Sequence, residues 1–161
     1  MAEAPKKAGS RERVRSFLDE HGLADGLVEF EQSTKTAQMA ADAMGCELGQ
    51  IVKSLVFVVD DRVVLALVAG DRRGDTSAIA ALVGGSDARF ADADTVRSAT
   101  GYAIGGVSPF DLPEDLLVLF DDSLERFEIV YPAGGTPSSM VRMSRRQLLE
   151  LTRGRVARIS H

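Results

Sequence analysis

Residues 49–68, GQIVKSLVFVVDDRVVLALV, hold two β-rich apolar runs separated by Asp60, Asp61 and Arg62. That break is short enough for a tight connection, so the pair is expected as a hairpin, its second strand over Val63 to Val68. Side chains alternate along an extended strand, which puts Ile51, Lys53, Leu55 and Phe57 on one face and Val52, Ser54, Val56 and Val58 on the other. Apart from Lys53 and Ser54 both faces are apolar, the pattern of a strand covered on both sides.

Lys53 is the anomaly. Taking an ammonium out of water without a partner costs several kcal/mol, and lysine is among the residues least often buried. Two readings stand. The side chain either runs out to solvent past the strand end, or it meets a carboxylate, a set of carbonyls or a cavity holding a polar ligand. A lysine in a pocket suits a ligand with a carbonyl or carboxylate, because its compact charge stabilises developing negative oxygen. Desolvated, it could instead act as a base or a Schiff-base nucleophile.

Outward from the hairpin, helices and strands mix without regular βαβ alternation. Residues 1–9 read as a flexible leader, and residues 10–161 as one domain. Ser10 is expected to cap a helix carrying Val14, Phe17 and Leu18 on one face and ended by Gly22. Ser33 or Thr34 opens an alanine-rich helix stopped at Gly45. GDRRGD is a loop, after which Asp75 caps the helix TSAIAALV. A further short helix is expected over 92–99. Strands are expected over Leu116–Phe120, Glu128–Tyr131 and Met140–Met143. Ser144 with Gln147 three residues later forms a capping box for RRQLLELTRG. One α+β domain with a mixed sheet flanked by helices results.

The composition narrows the chemistry. In 161 residues there is one cysteine, Cys46, and two histidines, His21 and His161. That argues against an internal disulfide, a cysteine-cluster or histidine-ligated metal, and a Ser-His-Asp triad. No cofactor is expected. No run approaches the roughly 20 apolar residues of a membrane span, and the N-terminus lacks a signal-peptide core. A cytoplasmic protein with no membrane partner is expected. Cys46, with no histidine nearby in sequence, reads as an inert small side chain. The net charge is −5, yet Arg142, Arg145, Arg146, Arg153, Arg155 and Arg158 cluster late, and Lys6, Lys7, Arg11, Arg13 and Arg15 cluster early. On one face they would form a phosphate-facing patch; apart, they are solvated helix surface and leader. Asp121 and Asp122 read as a strand-end turn, with pairing to Lys53 or a substrate amine as the other reading.

The segment TGYAIGGVSPF supplies Gly101, Gly105, Gly106, Ser108 and Pro109. Glycines let a backbone approach a ligand closely and take up positive φ. Pro109 fixes its own φ and biases Ser108 towards extended geometry. There is no Gly-Lys-Ser/Thr after the glycines, so the segment is no P-loop, and no strand-loop-helix surrounds it as a Rossmann fingerprint requires.

Taken in order, TAQMAADAMG, QIVKSLVF, LVAGDRRGD, TGYAIGGVSPF and a late AGG turn resemble the YbaK-like aminoacyl-tRNA deacylases, relatives of the editing domain of bacterial prolyl-tRNA synthetases. The resemblance covers roughly Val28 to Leu151. It implies an α+β fold with a mixed, largely antiparallel curved sheet flanked by helices. It also implies hydrolysis of the ester joining a wrong amino acid, such as cysteine or alanine, to tRNA, typically tRNA(Pro). Lys53 matches the family's essential lysine. Gly105, Gly106, Val107, Ser108 and Pro109 match its glycine-proline loop, which holds the aminoacyl group and terminal adenosine; Gly101 and Thr36 join the substrate-binding set. Arg72 and Arg73 are the tRNA-phosphate candidates. In cysteine-specific members the substrate thiol attacks its own ester, so no protein nucleophile is implied. Gln32 and Ser33 stand where many relatives have a histidine, and Met140 where some carry an acid. The implied partner is mischarged tRNA, with a synthetase as a further partner. The competing expectation is a module on the same fold that binds tRNA ends or an aminoacyl ligand without hydrolysis.

Overall fold

Val59 pairs with Arg62 across Asp60 and Asp61, and the hairpin runs back in register to Val52 opposite Ala69. Asp60 takes the left-handed conformation, φ +52°, which Asp tolerates better than most residues. Its carboxylate accepts the Ser86 N–H and hydroxyl and the Asp87 N–H at 3.2, 3.0 and 3.1 Å. Those donors, Ser86 foremost, hold its pKa below the usual carboxylate value.

The structure, a computed structural model, describes residues 9–34 and 36–161. In chain order its elements are helix α1 (Ser10–Glu20), strand β1 (Leu27–Glu29), α2 (Ala37–Met44), β2 (Ile51–Val59), β3 (Arg62–Ala69), α3 (Thr76–Val83), β4 (Ala88–Phe90), α4 (Ala93–Thr100), β5 (Leu117–Asp121), β6 (Ile129–Pro132), β7 (Ser139–Val141), β8 (Met143–Ser144), α5 (Arg145–Thr152) and β9 (Arg155–Ala157). The main sheet has the order β8-β6-β2-β3-β5-β9, with β4 also on β2, while β1 and β7 form a separate pair. It is mixed: β2–β3, β2–β4 and β6–β8 are antiparallel, and β2–β6, β3–β5 and β5–β9 parallel.

Both faces are covered, as the two-sided apolar pattern requires. On one face Val52, Val56, Leu65 and Leu67 meet Val14 and Leu18 of α1, Val96 of α4, and Tyr102, Phe110 and Leu148. On the other, Phe57, Val59, Val64, Ala66 and Val68 meet Ile79 and Ala80 of α3, with Ile159. A third cluster ties Ala40 and Ala41 of α2 to Ile51, Tyr131 and Met140.

The local signals place the helices, with corrections at some ends. Asp75 caps α3 by accepting the Ala78 N–H at 3.1 Å, and Ser144 and Gln147 complete the capping box of α5. Ser10 is instead the first residue of α1, which has no side-chain cap. Helix α2 is capped by Thr36 rather than Ser33 or Thr34, because the Thr34 hydroxyl is committed to the Pro137 carbonyl at 3.0 Å. The strand expected over Met140–Met143 is two. Strand β7 pairs with β1 and β8 with β6, and between them the Arg142 N–H turns to the Gly26 carbonyl at 2.8 Å. The expected leader, with Lys6 and Lys7, lies outside the described residues except for Gly9.

Candidate functional site

Strand β2 has β3 along one edge, but its other edge is divided. Strand β6 pairs only with Ile51 and Val52, and β4 only with Phe57 to Val59. Among the described residues, none in a strand therefore pairs with residues 53–56 on that side. The Ala91 N–H takes the Val56 carbonyl at 3.0 Å, while the Ile51 carbonyl points the opposite way, to the Gly70 N–H at 2.7 Å. Backbone groups alternate along a strand, so those of Ser54, two residues before Val56, point into the gap. A bare edge in mid-sheet offers a donor and an acceptor to whatever lies against it.

A cavity of about 430 Å³ opens at this gap. All six residues from Ile51 to Val56 line it, so it wraps round the bare edge and meets both faces of the sheet. The remaining wall comes from Thr34, Thr36, Ala37 and Ala40 at the start of α2, Phe90 and Ala91 at the end of β4, and Val96 of α4. Ile104, Gly105 and Val107 of the glycine loop, with Ala133, Thr136, Pro137, Ser139 and Met140, complete it. Among the described residues of this wall, Lys53 is the one that is charged.

Lys53 is half-buried, and its Nζ donates to the Arg72 carbonyl. Burial lowers its pKa below the ordinary 10.5, the positive charge of Arg73 pushes the same way, and Asp71 opposes both. Asp71 is itself engaged by Arg126, at 2.7 and 2.9 Å. An ammonium made easier to deprotonate, and held by a neutral carbonyl instead of an ion pair, keeps donors for a ligand oxygen.

The loop carrying that carbonyl is fixed from behind. Arg73 and His161 exchange N–H···O bonds of 2.9 and 2.8 Å, and the Asp75 N–H donates to Ile159 at 2.7 Å. Residues 159–160 are bolted in turn by Asp121. This fully buried carboxylate accepts the Ile159 N–H at 2.9 Å, the Ser160 hydroxyl at 2.6 Å, the Ser123 N–H at 3.2 Å and the Ser123 hydroxyl. Asp121 thus sits in the expected strand-end turn, where it accepts the Ser123 N–H, and it also ties residues 159–160, while Lys53 donates elsewhere, to the Arg72 carbonyl.

The residues singled out from sequence divide. Thr36, Lys53, Gly105 and Val107 share the cavity wall, whereas Gly101, Gly106, Ser108, Pro109, Arg72 and Arg73 do not. Gly105, at φ +84° with nothing within 4 Å of where a Cβ would stand, holds a left-handed bend. Ser108 is fully buried and donates to the Ala133 carbonyl at 2.9 Å, tying the loop to the turn after β6. Pro109 is buried against a second cavity beside Phe17 and Leu112. Gly101, at φ +79°, ends α4 where a Cβ would collide with the Arg13 guanidinium, which lies 4.3 Å over the Tyr102 ring. Arg72 and Arg73 are exposed beside the Lys53 anchor.

Sequence reasoning missed Phe90, Ile104 and the 136–139 turn as walls, since only tertiary contact brings them here. Met140 lines the cavity, while Gln32 and Ser33 do not. The hydroxyls on the wall are mostly committed. Thr36 accepts the Met39 N–H at 3.1 Å, and Thr136 and Ser139 bond each other at 2.7 Å. Ser54 Oγ is buried with no partner among the described residues. Burial raises the pKa of Cys46, and among the described residues no three His, Cys, Asp or Glu side chains are grouped to hold a metal ion. No helix among those residues is long and apolar enough to cross a membrane.

Comparison with known proteins places this architecture. The aminoacyl-tRNA editing domain profile matches residues 31–151. YwhH of Bacillus subtilis is 35% identical over 148 residues, covering 91% of this chain and 94% of that protein. The multifunctional Ser/Thr-tRNA deacylase ProXp-y of Escherichia coli is 31% identical over 147 residues, covering 88% and 87%. A crystal structure described as a candidate trans-editing enzyme for prolyl tRNA synthetase superposes with a TM-score of 0.86 at 40% identity, covering 99% of each chain. The resemblance carried by the lysine strand and the glycine-proline loop is thereby confirmed, and the chain belongs to the aminoacyl-tRNA editing domain family.

Proposed function

We propose that the protein hydrolyses, in trans, the ester joining a small amino acid to the 3′ end of a mischarged tRNA, with tRNA(Pro) carrying cysteine, alanine or a residue of similar size as the first substrate class. Water adds to the ester carbonyl, the C–O bond to the ribose breaks, and the free amino acid and tRNA leave. The observation that carries this reading is Lys53, half-buried on a cavity wall and anchored through a neutral carbonyl.

In this reading the Lys53 ammonium donates to the ester carbonyl oxygen and stabilises the negative charge that grows there, the task preorganised donors perform in acyl transfer. The bare backbone of Ser54 and its free hydroxyl orient the aminoacyl group. Gly105 and Val107 close the cavity over it, with Thr36 on the facing wall. Gly106, Ser108, Pro109 and Gly101 hold the loop in shape, and exposed Arg72 and Arg73 meet phosphates. Alanines 37, 40, 91 and 133 line a space for a small side chain. The relatives support the reaction class: ProXp-y is named a Ser/Thr-tRNA deacylase, and the superposing structure a candidate trans-editing enzyme.

The test is a deacylation panel of tRNA(Pro) charged with cysteine, alanine, serine, threonine and proline, with wild type and Lys53→Ala. Turnover of at least one mischarged species, lost in the variant, is expected. Saturable binding of charged tRNA without turnover on any of them would replace the hydrolase with a binding module.

A further inference from the structure

The mouth of the cavity carries apolar surface that the core does not use. Phe90 is 63% exposed and Ile104 58%, and both line the cavity. Leaving a phenylalanine mostly in water forfeits much of the roughly 1.5–3 kcal/mol that its burial would contribute.

Phe90 is nevertheless held firmly. It lies opposite Phe57 in the β2–β4 ladder, and the two ring centroids are 4.6 Å apart at an interplanar angle of 33°. Phe57 is fully buried, so one side of the Phe90 ring rests on the core and the other is open. Phe57 and Lys53 are on the same face of β2, four residues apart, roughly 13 Å along a strand. An aromatic ring and an ammonium thus stand at the two ends of the bare edge, and among the described residues the wall between them holds no other charge.

The chemistry this spacing fits is an ester on a nucleoside. With the ester carbonyl at the Lys53 amine, the ribose comes next and then a flat, uncharged base. Every base presents a π-face, and stacking on an aromatic side chain contributes about 1–3 kcal/mol per base. We infer that Phe90, backed by Phe57, is the stacking platform for the terminal nucleobase of the tRNA acceptor end, with Ile104 adding apolar contact at the same mouth. The inference rests on the deacylase reading for the position of the ester, but its test does not need turnover.

The chain contains no tryptophan, so Phe90→Trp introduces a single fluorescent reporter on the platform. Titration with 3′-alanylamido-3′-deoxyadenosine, a stable amide analogue, is expected to quench that fluorescence saturably, while the matching ribose amide without a base leaves it unchanged. No quenching, or equal quenching by both, overturns the platform. The second arm uses Phe90→Ala on two alanyl esters, of adenosine and of ethanol. A loss in kcat/KM of about 10-fold or more on the adenosine ester alone is expected, with Phe90→Trp restoring it. An unchanged adenosine ester, or equal loss on both, contradicts the inference. If wild type cleaves neither ester, the fluorescence titration alone decides the platform, and the deacylase reading is decided by the charged-tRNA panel.

Discussion

Two parts of one sheet treat their polar groups in opposite ways. At the end of β5, Asp121 is buried with four donors aimed at it, and every bond fixes chain to chain. Midway along β2, the Ser54 hydroxyl is buried with no partner among the described residues, and its backbone groups face a gap between β4 and β6. Buried polar groups are normally satisfied because leaving one unmet costs about 1–3 kcal/mol. The first region uses its polarity for stability, and the second leaves it unpaired beside the cavity, where the proposed substrate would meet it. They are also connected, since the segment bolted by Asp121 holds the loop whose Arg72 carbonyl anchors Lys53.

Asp121→Ala breaks the satisfied side and gives the largest stability change. It leaves donors unmet in the core, at a cost of about 3 kcal/mol. A fall in Tm on the order of 10 °C is expected for a chain of this size. A Tm within a degree or two of wild type would remove Asp121 from its role. Gly105→Ala comes next: a Cβ in the left-handed region costs about 1–2 kcal/mol, and weaker substrate binding should accompany it, visible as a raised KM.

Ser54→Ala sharpens the contrast, because the two measurements should move in opposite directions. Deleting a buried hydroxyl without a partner leaves stability unchanged or raises it by up to about 1 kcal/mol. Deacylation should nevertheless fall, since the bare edge loses a donor for the aminoacyl group. A destabilised variant with full activity would reverse the assignment.

The smallest effect is in pH. The native pKa of Lys53 lies below its unfolded 10.5, chiefly through burial. Below the lowered native value both states are protonated, and the native state bears the cost of partly burying the charge. As pH rises from the lowered native value towards 10.5, the native chain releases its proton first and that cost is relieved. Relative to Lys53→Met, wild type should therefore gain stability across that window, as Tm against pH will report. In activity, the contribution of the ammonium should fade at a pH below the ordinary lysine range.

Much of this contrast was legible in the sequence, and the reason is locality. The hairpin is written in alternation along residues 51–68, and the caps at Asp75 and Ser144 in residues three apart. Lys53 declared itself by being wrong for a two-sided apolar strand. The three-residue strands β1, β4 and β9 are too short to show a period, so they went unread. Without β4 and β6 in place the gap cannot be seen, and Ser54 looks like one polar residue among many. The glycine loop was recognisable as a unit, but which of its residues reach the cavity depends on Ser108 turning away to Ala133. Asp121 was readable as a strand-end turn residue through its neighbour Ser123, but its bonds to Ile159 and Ser160 cross 38 and 39 residues and leave no local mark.

A single-turnover deacylation assay at saturating enzyme, comparing wild type with Lys53→Met of matched Tm, tests the role of the half-buried amine directly. A rate lower by about 100- to 1,000-fold, with binding of the charged tRNA retained, is the outcome expected of a lone charge-stabilising donor. A Lys53→Met rate within a few-fold of wild type would show that the cavity does its chemistry without the lysine.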